Sequence, residues 1–215
     1  MYDVVIHVYF HGMATSRLIE QRETKQKLLE TALHLIWQSN YDSVGIVQIC
    51  AQAGVTKGAF YHYFKSKADL ATAAFEEHWQ RVRVDFDRVF SSQNSAVERV
   101  HNYCDLIISM QENKLAQSGH VVGCPFISSG QSTTEDKLKN LSIEIIDRMT
   151  KYFTSLVADA QREGIVEQNL DSVKIALYMY EFVQGVLTLG RVKNDLKIVK
   201  TDLRPGLLRI LGIKN

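Results

Sequence analysis

The sequence predicts an all-α protein built from a small N-terminal domain and a larger C-terminal domain. Apolar residues recur at three- and four-residue spacing over most of the chain, as they do on the buried faces of helices. The chain has only two prolines, and short polar or glycine-containing segments separate the periodic stretches. At 215 residues, of which 46% are hydrophobic and 23% charged, the chain can bury a substantial core.

The first periodic stretch predicts a helix over residues 22–40, where Asn40 begins a polar break. A second segment with one apolar face follows at residues 46–53. The same spacing predicts further helices over 67–91, 96–114, 134–163, 171–192 and 195–211, the last broken near Pro205. Residues 119–130 contain Pro125 and glycines and predict a kinked connector or a short helix.

Residues 1–16 differ from the rest. Their β-branched and aromatic residues favour extended structure, but one short strand without a partner is not stable. Met13 would also serve as an alternative start. We interpret 1–16 as an extension, either disordered or not native. The small N-terminal domain is predicted to span 17–65, and the larger helical domain 66–215.

Composition and net charge limit the classes of protein to which this chain can belong. No apolar run reaches the ~20 residues that a membrane-spanning helix needs. The three cysteines are an odd number at wide spacing, which disfavours a disulfide framework and favours the reducing cytoplasm. The formal net charge is +1, so any binding to phosphate groups must come from the local placement of cations.

One stretch, AGVTKGAFYHYFKSK at 53–67, combines aromatic and cationic residues unusually densely. Gly54 suits a left-handed turn, and Thr56 suits the N-cap of a following helix. With the short segment 46–53 before it, the stretch predicts a helix-turn-helix.

In such a motif the second helix enters the major groove of DNA with its first residues nearest the bases. Phe60 and Phe64 are four residues apart and are expected to face the domain core. Six residues in this helix or beside it are the predicted DNA contacts: five have side chains that can bond to DNA, and one is a glycine that lets the helix approach the DNA backbone closely. They are Thr56, Lys57, Gly58, Tyr61, His62 and Lys67.

The stretch resembles the TetR family of bacterial transcriptional regulators, whose pattern is close to I-A-x-x-A-G-V-[ST]-x-G-x-[FLI]-Y-x-[HY]-F-x-[SN]-K. The matching residues are Ile49, Ala53, Gly54, Val55, Thr56, Gly58, Phe60, Tyr61, Tyr63, Phe64, Ser66 and Lys67. Within the pattern, Cys50 replaces the usual alanine with another small residue. Before it, the chain departs from the family at Gly45, where a capping Ser or Thr is usual, and at Val47, where a polar residue is usual. These departures weaken one expected phosphate contact.

The resemblance implies a homodimer formed by the last long helices, which sets two reading helices one DNA turn apart on a palindromic operator. The candidate dimerisation residues are Ile145, Phe153, Tyr178, Phe182 and Gly185. It also implies an effector pocket among the helices after the DNA-binding domain, where a ligand would move the 67–91 helix. The aromatic candidates for that pocket are Trp79, Tyr103 and Phe126.

Cys124 is a further candidate, as a sensor. The segment VGCPF around it resembles the G-C-[LP]-[LIF] stretch of one TetR subgroup, some of whose members sense electrophiles or oxidants. Sensing requires a thiolate, and His120 is a possible partner that would lower the thiol pKa. The alternative is a buried small residue at a bend.

The pairs His101–Cys104 and His120–Cys124 also allow a zinc site, but the spacing is weak evidence, so no metal is predicted.

The leading hypothesis is therefore a cytoplasmic, homodimeric repressor released from its DNA operator by a small apolar or electrophilic effector, with no cofactor. The alternative is a TetR-like protein that organises DNA or recruits a partner without an effector. An enzyme is not expected, because the phosphate-loop, zinc-protease and serine-hydrolase motifs are absent from the sequence.

Overall fold

The computed structural model describes residues 3–127 and 135–213, with side chains described from residue 19 onward. All regular secondary structure in these ranges is helical, which confirms the predicted fold class. The helices are α1 (Asp3–Gln38), α2 (Ile46–Ala53), α3 (Lys57–Tyr63), α4 (Lys67–Val89), α5 (Ala96–Ser118), α6 (Asp136–Arg162), α7 (Ser172–Lys193) and α8 (Leu196–Ile210). The predicted ends of the connector at Gly130 and of α6 at Thr134 lie outside the described residues.

Helix α1 begins much earlier than the sequence predicts. Residues 3–16 are helical rather than extended or disordered, because one helix is continuous from Asp3 to Gln38. No proline interrupts this range, and each residue added to an existing helix gains a backbone hydrogen bond, whereas an isolated strand gains none.

Contacts divide the chain into two compact units, Met1–Glu76 and Glu77–Asn215. The division falls within α4, beyond the predicted boundary at 65/66. The reason is that the first turns of α4 are buried, with Leu70 and Phe75 fully inaccessible, and belong to the first unit. In that unit α1 packs on α2 and α3, and its core includes Leu28, Ile36, Ile49 and Phe60.

In the second unit, α6 packs on α7, α7 on α8, and α5 on both α6 and α8. A continuous aromatic cluster joins α4, α5 and α6. Its ring centroids lie 5.8 Å apart for Phe86 and Tyr103, 5.3 Å for Phe90 and Phe153, and 5.1 Å for Tyr103 and Phe153. Edge-on contacts of this kind add to the stability that burial provides.

Side chains also fix the helix ends of the second unit. Ser95 and Glu98 form a reciprocal capping box at the start of α5. The Glu163 carboxylate accepts a hydrogen bond from the Ala96 N–H (3.0 Å), so the end of α6 is tied to the start of α5. Asp171 caps the start of α7, and in the first unit Thr56 is the N-cap of α3, as predicted.

The last helix does not break at Pro205 as the sequence suggests. Helix α8 is continuous through it, although proline removes one intrahelical hydrogen bond. Leu203, Leu207 and Leu208 flank the proline and are buried, so the apolar contacts of α8 outweigh the local loss.

Candidate nucleic-acid interface and ligand groove

The turn between α2 and α3 has the geometry predicted from its residues. Gly54 adopts a left-handed conformation (φ 66°, ψ 35°) and ends α2. The Thr56 hydroxyl then accepts a hydrogen bond from the Ala59 N–H (3.1 Å) and begins α3. Phe60 is fully buried and Phe64 nearly so, which confirms that both face inward.

The opposite face of α3 is exposed. It carries Thr56, Lys57, Gly58, Tyr61 and His62, five of the six predicted DNA contacts. Tyr61 is 58% exposed although it is aromatic, and its ring packs edge-on against Phe60 at 5.0 Å. A cation, a phenol hydroxyl and an imidazole therefore project together from one short helix, as a DNA-reading surface requires.

Gly58 has no packing reason to be glycine. A Cβ at this position would meet only the Thr56 Oγ1 at 3.8 Å, which is an ordinary contact. The absence of a side chain therefore leaves free space in front of the helix rather than relieving a clash inside the domain. This space allows another molecule to approach the α3 backbone closely.

The structure corrects the role predicted for Lys67. Its Nζ donates hydrogen bonds to the Tyr41 and Val44 carbonyl oxygens (2.9 and 3.0 Å) and lies 3.9 Å from the centre of the Tyr41 ring. The side chain thus holds the loop after α1 to the start of α4 instead of standing free as a phosphate clamp. Sequence pattern missed this because the two acceptors are more than twenty residues away.

The start of α2 differs from the family pattern, which has a capping Ser or Thr at the position of Gly45. Gly45 is the N-cap of α2, and no side chain caps that helix. Val47, in the first turn of α2, is 60% exposed and offers no polar group.

The aromatic effector candidates lie in the core of the second unit. Trp79, Tyr103 and Phe126 are each 3% exposed or less, and Trp79 packs edge-on against Phe126 at 6.2 Å. His78 packs against the same Phe126 ring at 5.8 Å. Burial, together with nearby Arg81 and Lys114, lowers the pKa of His78 to about 4, so its ring is neutral at pH 7.

Cys124 is half-buried at the start of the helical residues 125–127. Burial raises the pKa of its thiol, although the Phe126 and Ile127 N–H groups and the Gln184 side chain favour the thiolate. The predicted partner His120 has an exposed side chain and does not contribute to this shift. A raised pKa opposes the reactivity expected of a sensor cysteine.

An open groove of about 710 Å³ lies between α4 and α6 in the second unit. The residues that line it are Trp79, Gln80, Arg83, Phe90, Ser92, Arg148, Lys151, Tyr152 and Ser155. Its three cations, Arg83, Arg148 and Lys151, were not among the predicted site residues. The only available signal was the three-residue spacing of Arg148 and Lys151, which places them on the same face of α6.

The predicted dimerisation residues separate into two groups. Ile145 and Phe153 are buried within the chain (0% and 1% exposed), so the prediction that they meet a partner is wrong. Phe182 occupies the space beside Gly206, where no side chain would fit, and so joins α7 to α8. Tyr178 and Gly185, in contrast, are exposed on α7.

Further apolar side chains share the exposure of Tyr178 along α7. They are Val173, Leu177, Leu189 and Val192, with exposures from 36% to 78%. Exposed apolar residues grouped on one helix mark an interaction surface more often than a solvated one.

Two other findings concern the described part of the chain as a whole. It contains no group of three or more His, Cys, Asp or Glu side chains arranged to hold a metal ion. None of its helices is long and apolar enough to cross a membrane.

Residues 28–74 match the family model described as bacterial regulatory proteins, tetR family. The chain is 28% identical over 184 residues to an HTH-type transcriptional regulator in the lacX 3′ region of Lactococcus lactis, covering 84% of this chain and 90% of the relative. It is also 28% identical to the transcriptional regulator AcuR of Cereibacter sphaeroides, covering 78% and 76%.

Solved structures show the same fold. A TetR regulatory protein from Rhodobacter sphaeroides aligns with a TM-score of 0.73 at 24% identity, covering 87% of this chain and 96% of that one. The regulator FadR from Bacillus subtilis, solved in complex with stearoyl-CoA, aligns with a TM-score of 0.67 at 21% identity, covering 86% and 96%.

Proposed function

We propose that the chain, whose residues 28–74 match the TetR family, is a DNA-binding transcriptional regulator of that family. It acts as a cytoplasmic homodimeric repressor that a small molecule releases from its operator. The observation that carries the proposal is the exposed face of α3. Lys57, Tyr61 and His62 project from it beside Gly58, while Phe60 anchors the helix from the other side.

The chemistry of this face suits DNA. Lys57 lies at the first position of α3, where its ammonium can reach a phosphate or the acceptors of guanine. The Tyr61 hydroxyl and the His62 ring can donate to phosphate oxygens. With a net charge of only +1, affinity must come from such placed contacts and from the pairing of two reading helices.

We propose the exposed stripe of α7 as the dimer interface, with a second copy of the chain as its partner. Val173, Leu177, Tyr178 and Leu189 would be covered there, and Gly185 would allow the helices to approach closely. A two-fold axis matches a palindromic operator with half-sites ~34–36 Å apart. This pairing doubles the DNA contacts made by one chain.

Release of the repressor from its operator requires a ligand that binds more tightly to one arrangement of the two reading helices than to the other. Helix α4 is suited to transmit it, because the helix begins in the first unit and ends in the second. An organising role without an effector gains no support from the relatives, which are named as regulators. Catalysis forms no part of this function.

The test is binding of the full chain to a fluorescent DNA fragment from upstream of its own gene, measured by anisotropy. Wild type should bind tightly and with strong salt dependence. Lys57→Ala should weaken binding about 10-fold and reduce the salt slope by about one. Asn102→Ala, an exposed change on α5, is the control. If both variants bind like wild type, α3 does not read DNA.

A further inference from the structure

The groove between α4 and α6 is large enough for a small organic molecule. Its volume of about 710 Å³ lies within the range of known ligand pockets. All of its lining residues belong to the second unit: seven lie on α4 or α6, and Phe90 and Ser92 lie in the turn after α4.

Positive charge dominates the rim of the groove. Among the described residues that line it, Arg83, Arg148 and Lys151 are cationic and none is acidic. Two of these cations have neighbouring counter-charges: Arg83 lies 3.9 Å from Asp87, and Arg148 lies 3.3 Å from Glu144. Both are exposed pairs one helical turn apart, which are weak and are readily exchanged for a better anion.

The inner part of the groove is aromatic. Trp79, Phe90 and Tyr152 line it, and the Tyr152 hydroxyl donates to Asp87. The Asp87 carboxylate therefore has one partner on each wall of the groove, Arg83 on α4 and Tyr152 on α6. Trp79 and Phe90 are buried and Tyr152 is half-buried, so a planar apolar group could lie on the Tyr152 ring while an anionic group meets the cations at the rim.

We propose that this groove binds an amphipathic organic anion, with its apolar part against Tyr152, which lies in front of the buried Trp79 and Phe90, and its sulfonate, phosphate or carboxylate between Arg83, Arg148 and Lys151. The proposal deepens the repressor function above, and rests on it, by assigning the effector a chemical class and a site. It differs from the apolar or electrophilic effector that the sequence suggests, because the three cations select for negative charge.

The position of the groove also provides a route for regulation. A ligand wedged between α4 and α6 contacts the second half of α4, and the first half of the same helix belongs to the DNA-binding unit. Binding that favours one placement of α4 relative to α6 would shift the population of DNA-competent dimers.

The test uses two matched dyes that become fluorescent when they bind apolar surfaces. Anilinonaphthalene sulfonate carries an anionic group, and phenylnaphthylamine is the same ring system without it. Wild-type full-length protein should bind the sulfonate dye at one site per chain. The double variant Arg148→Gln/Lys151→Gln should raise the sulfonate dye's Kd about 10-fold and leave the neutral dye's Kd within about 2-fold.

Lys139→Gln, an exposed change on the same helix outside the groove, is the matched control and should bind both dyes like wild type. If the double variant fails to fold, salt replaces it: 1 M NaCl should weaken only the sulfonate dye. Equal loss of both dyes, or an unchanged sulfonate Kd, would overturn the proposal. Because no DNA is present, this outcome is independent of whether the chain binds its operator.

Discussion

Arg99 and Asp159 form an ion pair in the interior of the second unit, with Nη1 and Oδ2 2.6 Å apart. Arg99 also donates from Nε to the Asn94 carbonyl oxygen (3.0 Å), and Asp159 pairs in addition with Arg162. The pair joins the start of α5 to the end of α6, next to the contact between Glu163 and the Ala96 N–H. Burial lowers the pKa of Arg99, and the charge of Glu163 opposes that effect.

Removing one partner of this pair should destabilise the protein strongly. Asp159→Ala leaves a buried guanidinium without its carboxylate, which we expect to cost about 3–5 kcal/mol in the free energy of unfolding. Arg162→Gln, whose side chain is 72% exposed, should cost less than about 1 kcal/mol. Urea denaturation followed by circular dichroism measures both. Equal costs would mean that the buried pair contributes no more than the exposed one.

Lys67 should behave as a structural residue. In Lys67→Met the Tyr41 and Val44 carbonyl oxygens lose their donor, so stability should fall by about 1–3 kcal/mol. The folded fraction should keep its DNA affinity within about 2-fold, whereas Lys57→Ala should lose affinity and keep stability within about 0.5 kcal/mol. A Lys67→Met protein of full stability that fails to bind DNA would restore the predicted phosphate clamp.

Gly58→Ala should raise the stability of the protein and lower its affinity for DNA. Alanine favours the helix by up to about 1 kcal/mol, and its methyl group has room within the chain. The same methyl would occupy the space proposed for close approach to DNA, so operator affinity should fall about 10-fold, equivalent to about 1.4 kcal/mol. Thermal unfolding and DNA anisotropy together test this. A variant with wild-type affinity would show that α3 keeps its distance from the DNA backbone.

The exposed stripe of α7 should control the oligomeric state. Leu177→Glu/Leu189→Glu places two charges in the proposed interface and should weaken the dimer about 100-fold, with a matching loss of operator affinity. Val84→Glu changes an apolar side chain on α4 that is more exposed (65%) than Leu177 (36%) or Leu189 (52%), and should leave the dimer intact. Sedimentation velocity distinguishes the two. Dimers that persist in the double variant would place the interface elsewhere.

Cys124 should react slowly with thiol reagents. Because burial raises its pKa, less thiolate is present at pH 7 than for a free cysteine, and the rate of alkylation should rise as the pH is increased. Cys104, whose pKa burial raises to about 12, should react more slowly still. Peptide mass spectrometry after iodoacetamide treatment measures each rate. Fast reaction at pH 7, with DNA release that Cys124→Ser abolishes, would instead identify a sensor.

The local features of the DNA-binding unit were predictable because they depend on neighbours in sequence. Gly54 at a left-handed turn, Thr56 at a helix start and Phe60 on the inner face follow from backbone geometry and helical periodicity alone. The exposure of Lys57, Tyr61 and His62 follows from the same periodicity. These residues could be identified without knowing what packs around them.

The failed predictions about site residues concern contacts between distant segments. Lys67 bonds to a loop that precedes it by more than twenty residues, and Ile145 and Phe153 face the chain's own core rather than a partner. Apolar periodicity shows that a helix has a buried face but does not show what covers that face. For the same reason Tyr178 and Phe182, both on α7, were both predicted to lie in the dimer interface, although only Tyr178 is exposed.

The sequence by itself therefore determined the helical class, the helix-turn-helix and the side chains it presents, because those follow from local propensity and short-range spacing. Only the tertiary structure decided which apolar stripes remain uncovered and that Arg83 on α4 meets Arg148 and Lys151 on α6 around one groove. Charges from separate helices act together only when packing brings them within a few ångströms, and that distance is not encoded in their spacing along the chain.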